Sequence, residues 1–66
     1  MKEIQLNGDS YTFAGATIND LLAELALAGQ RLAVEVNGDI VSRDSHREYT
    51  IDAGDTVEIV QAIGGG

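Results

Sequence analysis

Only one stretch of this chain carries a helical apolar period. Ile18, Leu21, Leu22, Leu25 and Ala26 recur at i, i+3, i+4, i+7 and i+8, with Asn19, Ala23 and Glu24 turned away. The clearest apolar patterns elsewhere alternate with polar residues. One helical stripe can cover one face of one sheet, which predicts a two-layer α+β domain. Thr17 stands where an N-cap belongs, and Asp20 follows where its carboxylate can face the positive end of the helix dipole. Gly29 is expected to stop the helix in a left-handed conformation. The polar face of the helix is acidic rather than basic, so it is expected to pack on a sheet and not on a membrane.

The strands around the helix read off as two hairpins and a final strand. In Lys2-Glu3-Ile4-Gln5-Leu6, Ile4 and Leu6 share one face; Asn7-Gly8 then supplies a tight turn into Ser10-Tyr11-Thr12-Phe13, with Asp9 able to lengthen the loop. Leu32, Val34 and Val36 point inward in the third strand, and Asn37-Gly38 turns the chain into Asp39-Ile40-Val41. Ser42 to Glu48 is polar and aperiodic, a loop with room for one short helical turn. Tyr49-Thr50-Ile51 is a brief apolar return, and the turn Asp52-Ala53-Gly54-Asp55 leads into a last strand, Thr56 to Ile63. On that strand Val57, Ile59 and Ile63 share a face, with Glu58, Val60 and Ala62 opposite. With both faces partly apolar, it suits the middle of the sheet. Val60 and Ala62 then leave an apolar spot away from the helix, either a docking point or ordinary scattered surface hydrophobes.

Composition narrows the function. Sixty-six residues make one domain near the lower limit for an unassisted core. There is no Cys, hence no disulfide, thiolate nucleophile or cysteine metal site. The net charge of −7, eleven acids against four bases, speaks against nucleic acid as a partner. It suits a basic partner surface, and plain solubility explains it equally well. No apolar run approaches a membrane span and the start of the chain lacks a signal-peptide plan, so a cytoplasmic location is expected. His46, flanked by Asp44 and Glu48, could bind a metal or act as a base, but its polar surroundings read as a solvated loop. No bound cofactor and no metal site is expected. A chain this small rarely encloses a pocket of about 300 Å³ or more, so no active site of its own is expected.

That leaves Gly64-Gly65-Gly66, directly after the last strand. Residues 1–63 are expected to form the domain and 64–66 a flexible tail. Glycines have no Cβ, so a slot too narrow for side chains could admit them. The chain ends in an α-carboxylate, with a reference pKa of about 3.3–3.7, so it is ionised at neutral pH. Fully extended, the glycines reach roughly 10 Å beyond Ile63. A carboxylate is a poor acylating agent until an enzyme converts it to an acyl-adenylate. AMP is then the leaving group, which a sulfur or nitrogen nucleophile can displace, and Gly66 is expected to be the reacting residue.

The residues also resemble a family. The strand order, the helix start Thr17-Ile18-Asn19-Asp20-Leu21-Leu22 and the hairpin Glu35-Val36-Asn37-Gly38-Asp39-Ile40-Val41 match the small bacterial sulfur carriers of thiamin biosynthesis, the ThiS family. Arg43, the Gly54-Asp55 turn and the ending from Val60 to Gly66 match it too, so the likeness covers essentially the whole chain. The ending and the Val36-to-Val41 segment are its most specific parts. The resemblance implies a β-grasp, ubiquitin-like fold, a mixed sheet packed on one main helix, with the first and last strands side by side in parallel at its centre. It implies that a ThiF-like, ubiquitin-activating-like adenylyltransferase uses ATP to adenylate Gly66, which then becomes a thiocarboxylate. A ThiG-like thiazole synthase would receive the sulfur. Gly65, Gly64, Ile63, Ala62 and Val60 are the residues expected to meet these partners. Family members often end in Ala-Gly-Gly, and Gly64 is a mild variation on that. The alternatives are the small subunit of molybdopterin synthase, usually longer, and a ubiquitin-like protein modifier.

Overall fold

The structure is a computed structural model that describes residues 1–61. The elements run β1 (Lys2–Leu6), β2 (Asp9–Phe13), α1 (Ile18–Glu24), β3 (Leu32–Val36), β4 (Asp39–Val41), a 3-10 turn (Arg43–Ser45) and β5 (Thr56–Gln61). They form a five-stranded sheet in the order β2-β1-β5-β3-β4. The strand predicted for the middle is in the middle: β5 pairs parallel with β1 and antiparallel with β3. The fold is therefore the α+β architecture expected from a single apolar stripe.

Both Asn-Gly turns connect their strands with two-residue loops. Leu6 pairs with Asp9, and Val36 with Asp39. Asn7 and Asn37 have φ of 50° and 53°, and the glycines after them both 90°, the positive pair that matches the twist of a hairpin. Asp9 thus belongs to β2 and does not lengthen the loop.

The strand faces follow from the register. Ile4, Phe13, Val34, Val36, Val41 and Val57 turn toward α1, where Ile18, Leu21 and Leu22 meet them, and Ile51 closes the same core. Thr17 caps the helix: its hydroxyl accepts from the amide of Asp20, and the Asp20 carboxylate accepts from the amides of Thr17 and Ala16. This reciprocal box satisfies donors that a helix start otherwise leaves open.

The helix ends earlier than Gly29 suggests. Its C-cap is Leu25, and Ala26 takes the left-handed conformation at φ 61°. The Leu27 amide donates to the Leu22 carbonyl at 2.7 Å and the Ala26 amide to the Ala23 carbonyl at 3.0 Å, a Schellman ending with alanine in the glycine position. Ala26 is accordingly exposed rather than part of the stripe, while Leu27 folds back against the core. Gly29 serves the next turn, with φ 87° and the Gln30 amide donating to the Leu27 carbonyl.

Candidate functional site

The site is the end of β5 and the sheet face that α1 leaves open. β5 is held at its base from both sides. The Asn37 carboxamide accepts from the Thr56 amide at 2.9 Å and donates to the Asp55 carboxylate at 3.0 Å. On the other flank the Asn7 amide donates to the Val57 carbonyl, and the Asn7 side-chain oxygen accepts from the Ile59 amide at 2.8 Å. β1 has ended at Leu6, so Asn7 supplies the acceptor that the strand no longer can. Toward β3, pairing continues to Gln61 opposite Leu32. The root of the C-terminal segment is therefore a strand fixed at the centre of the sheet.

The open face is read from the same register. Its outward positions carry Glu3, Glu35 and Glu58, with Ala33 opposite Val60 and Ile40 opposite Glu35. Val60 is 57% exposed and Ile40 74%. No basic residue occupies an outward position of the described strands, so the face combines apolar points with negative charge. Glu35 and Glu58 are direct cross-strand partners, an arrangement that costs stability and that no folding requirement explains. Val60, singled out from the sequence as an outward apolar residue, is exposed on this face. Ile40 was not singled out, although the alternation of Asp39-Ile40-Val41 contains the signal. Ala62, Ile63, Gly64, Gly65 and Gly66 lie outside the described residues.

His46 departs from the solvated-loop expectation. It is 5% exposed, with Nε2 3.2 Å from the Val41 carbonyl oxygen. The 3-10 turn, capped by Ser42, swings the chain inward so that the His46 and Tyr49 carbonyls accept from the Asn19 and Ile18 amides at the helix start. His46 is thus a peg between β4 and α1. Among the described residues no group of three or more His, Cys, Asp or Glu side chains is placed to hold a metal ion. An open cavity of about 430 Å³ lies beside His46.

Two ionisable groups near the helix are shifted by their partners. The Asp20 carboxyl is held below its ordinary value of 3.8, first by the Ala16 amide and then by that of Thr17. The Tyr11 hydroxyl donates to Glu24 at 2.7 Å, and that bond raises its pKa above 10.0. The first closes the helix start and the second ties the end of α1 to β2. No helix among the described residues is long and apolar enough to cross a membrane.

Comparison with known proteins places this geometry. The model of the ThiS family matches residues 4–66. The sulfur carrier protein ThiS of Bacillus subtilis is 35% identical over 65 residues, spanning 96% of this chain and 98% of that protein. A thiazole synthase of Paramagnetospirillum magneticum is 38% identical over 65 residues, which is 97% of this chain but 20% of that protein. The chain thus spans about a fifth of the thiazole synthases it matches, a second of which is from Magnetococcus marinus. The crystal structure of a thiamine biosynthesis protein (ThiS) from Geobacter metallireducens superposes with a TM-score of 0.83 at 32% identity, covering 97% of this chain and 99% of the other.

Proposed function

We propose that this chain, which belongs to the ThiS family, is a sulfur carrier for thiazole formation in thiamin biosynthesis, acting through the Gly66 carboxylate. One observation carries the reading: β5 is pinned at the centre of the sheet as far as Gln61, five residues before Gly66 in the sequence, and it borders an exposed face with apolar points. The likeness to a sulfur carrier along nearly its whole length supports the assignment.

The chemistry proceeds in two displacements. A Gly66 carboxylate oxygen attacks the α-phosphorus of ATP on an adenylating partner, and pyrophosphate leaves. A hydrosulfide-level donor then attacks the acyl carbon; the carbon–sulfur bond forms, the bond to the AMP oxygen breaks, and the chain ends in a thiocarboxylate. The chain supplies no general base for either step. It supplies reach, narrowness and docking, and so is substrate rather than enzyme. ATP is bound by the partner, and the chain itself needs no cofactor.

Two partners follow. The adenylating enzyme is ThiF-like, with basic residues to meet Glu3, Glu35 and Glu58 and a narrow channel for Gly64 and Gly65. Val60, Ala62 and Ile63 form the adjoining contact. The acceptor is a ThiG-like thiazole synthase; that proteins named thiazole synthase contain a region similar to this chain supports pairing of the two. Such exchange between soluble proteins suits the cytoplasm.

Intact-mass measurement after incubation with ATP, the adenylating enzyme and a sulfur donor tests the reading. A gain equal to sulfur minus oxygen is expected. A ladder of conjugates would instead assign a protein modifier, and an unchanged mass would overturn carrier chemistry. Transfer to thiazole synthase, and not to a molybdopterin-forming partner, identifies the pathway.

A further inference from the structure

The cavity beside His46 is lined by none of the residues assigned above to sulfur transfer or its docking face. It opens on the helix side of the sheet, between the start of α1, the Ala28–Gln30 turn and the 3-10 turn, with Leu22 and Leu32 among its walls. Its volume, about 430 Å³, is within the range of small-molecule sites.

Its charge is out of character for the chain. Two of the four basic residues, Arg43 and Arg47, line it, in a protein whose net charge is −7. With eleven acids available, both arginines could have been spent on ion pairs. Yet no side-chain hydrogen bond among the described residues uses either guanidinium. Each guanidinium presents five N–H donors in a planar fork that matches an oxyanion in a bidentate way. Asn19 adds an amide from the helix, and buried His46 fixes the segment that carries both arginines. The lining is mostly polar. A protein partner would call for an apolar centre, whereas a small charged ligand does not.

We propose that this cavity is a binding site for a small oxyanion of the phosphate class, held by Arg43 and Arg47 with Asn19 at its edge. Leu22 and Leu32 give a short carbon moiety of such a ligand an apolar wall. Asp44 also lines the cavity, and its carboxylate opposes anion binding. That opposition gives the proposal a test in both directions, independent of any sulfur chemistry.

The experiment is an amide-resolved NMR titration of the full chain with inorganic pyrophosphate at constant ionic strength. Saturable shifts are expected at Asn19, Arg43, His46 and Arg47. The double variant Arg43→Gln, Arg47→Gln should weaken binding at least about tenfold, the loss expected when charge-assisted bonds are removed. Asp44→Asn should tighten it several-fold through removal of a like charge. Absence of saturation, unchanged affinity in the double variant, or equal shifts at Lys2 and Arg31 would each overturn the proposal. Ile4 and Val57 amides unmoved in every variant report that the fold is intact.

Discussion

The side-chain oxygen of Asn7 accepts the backbone amide of Ile59 at 2.8 Å, joining residues 52 positions apart. An asparagine chosen by a hairpin turn thereby extends the β1–β5 pairing beyond the end of β1. Asn37 does the same for Thr56 from the other hairpin. The two Asn-Gly turns are therefore clamps on the strand from which the glycine tail departs. Asn7→Gly keeps the positive φ of the turn but removes the clamp. It should cost about 1 kcal/mol, the usual net worth of one hydrogen bond, and speed hydrogen exchange at Ile59 more than at Val36. Asn7→Asp, which retains the acceptor, should stay close to the parent in the same exchange measurement.

Gly15 is fixed by space rather than by φ. A Cβ there would lie 2.6 Å from the Asp20 Cβ and 3.0 Å from the Phe13 ring. Gly15→Ala should therefore destabilise by about 1–3 kcal/mol in denaturant unfolding, as overpacking does, by prising the capping box from the sheet. A Gly8→Ala comparison reports backbone strain alone, since that site has open space and φ 90°.

These two cases mark how far the sequence could be read. Hairpins, helix start and the central strand were legible, because Asn-Gly, a threonine N-cap with an acid in the first turn, and alternation are local signals with local causes. What was not legible depended on contacts across the sequence. Gly29 looked like the helix stop, yet the fold back of Leu27 onto the core places the left-handed residue at Ala26. His46 looked solvated because its neighbours are polar, but two helix-start amides needed carbonyl partners and drew its segment inward. The cavity next to it exists only once that segment has turned. Of the candidate site, the sequence singled out Val60, which is exposed, and the glycines, which lie outside the described residues, but not the clamps at Asn7 and Asn37.

The open sheet face should separate function from stability. Val60→Asp changes an exposed position, so thermal unfolding should move by no more than about 0.5 kcal/mol. Sulfur loading by the adenylating partner should fall nonetheless. Glu58→Gln relieves the cross-strand repulsion with Glu35 and should stabilise by up to about 0.5 kcal/mol, while slowing association with a basic partner at low salt. Stopped-flow association at two salt concentrations checks the second effect.

Stability should respond to pH through the helix anchors. Asp20 titrates below its ordinary 3.8 in the folded chain, so its contribution is complete above that value and is lost as pH falls through the lower folded one. Tyr11 is raised above 10.0, so its bond to Glu24 contributes fully below that value and is lost as pH rises through the folded one. Unfolding free energies of the parent and Asp20→Asn should converge in acid, and those of the parent and Tyr11→Phe in base.

The central claim is that a clamped body presents a reactive end whose chemistry is separate from the core, which runs from Ile4 to Val57. Its most direct test is the mass gain of the chain lacking Gly66, measured beside its melting temperature under the loading conditions. No sulfur incorporated and an unchanged melting temperature are expected. Sulfur still acquired by the shortened chain would contradict the claim.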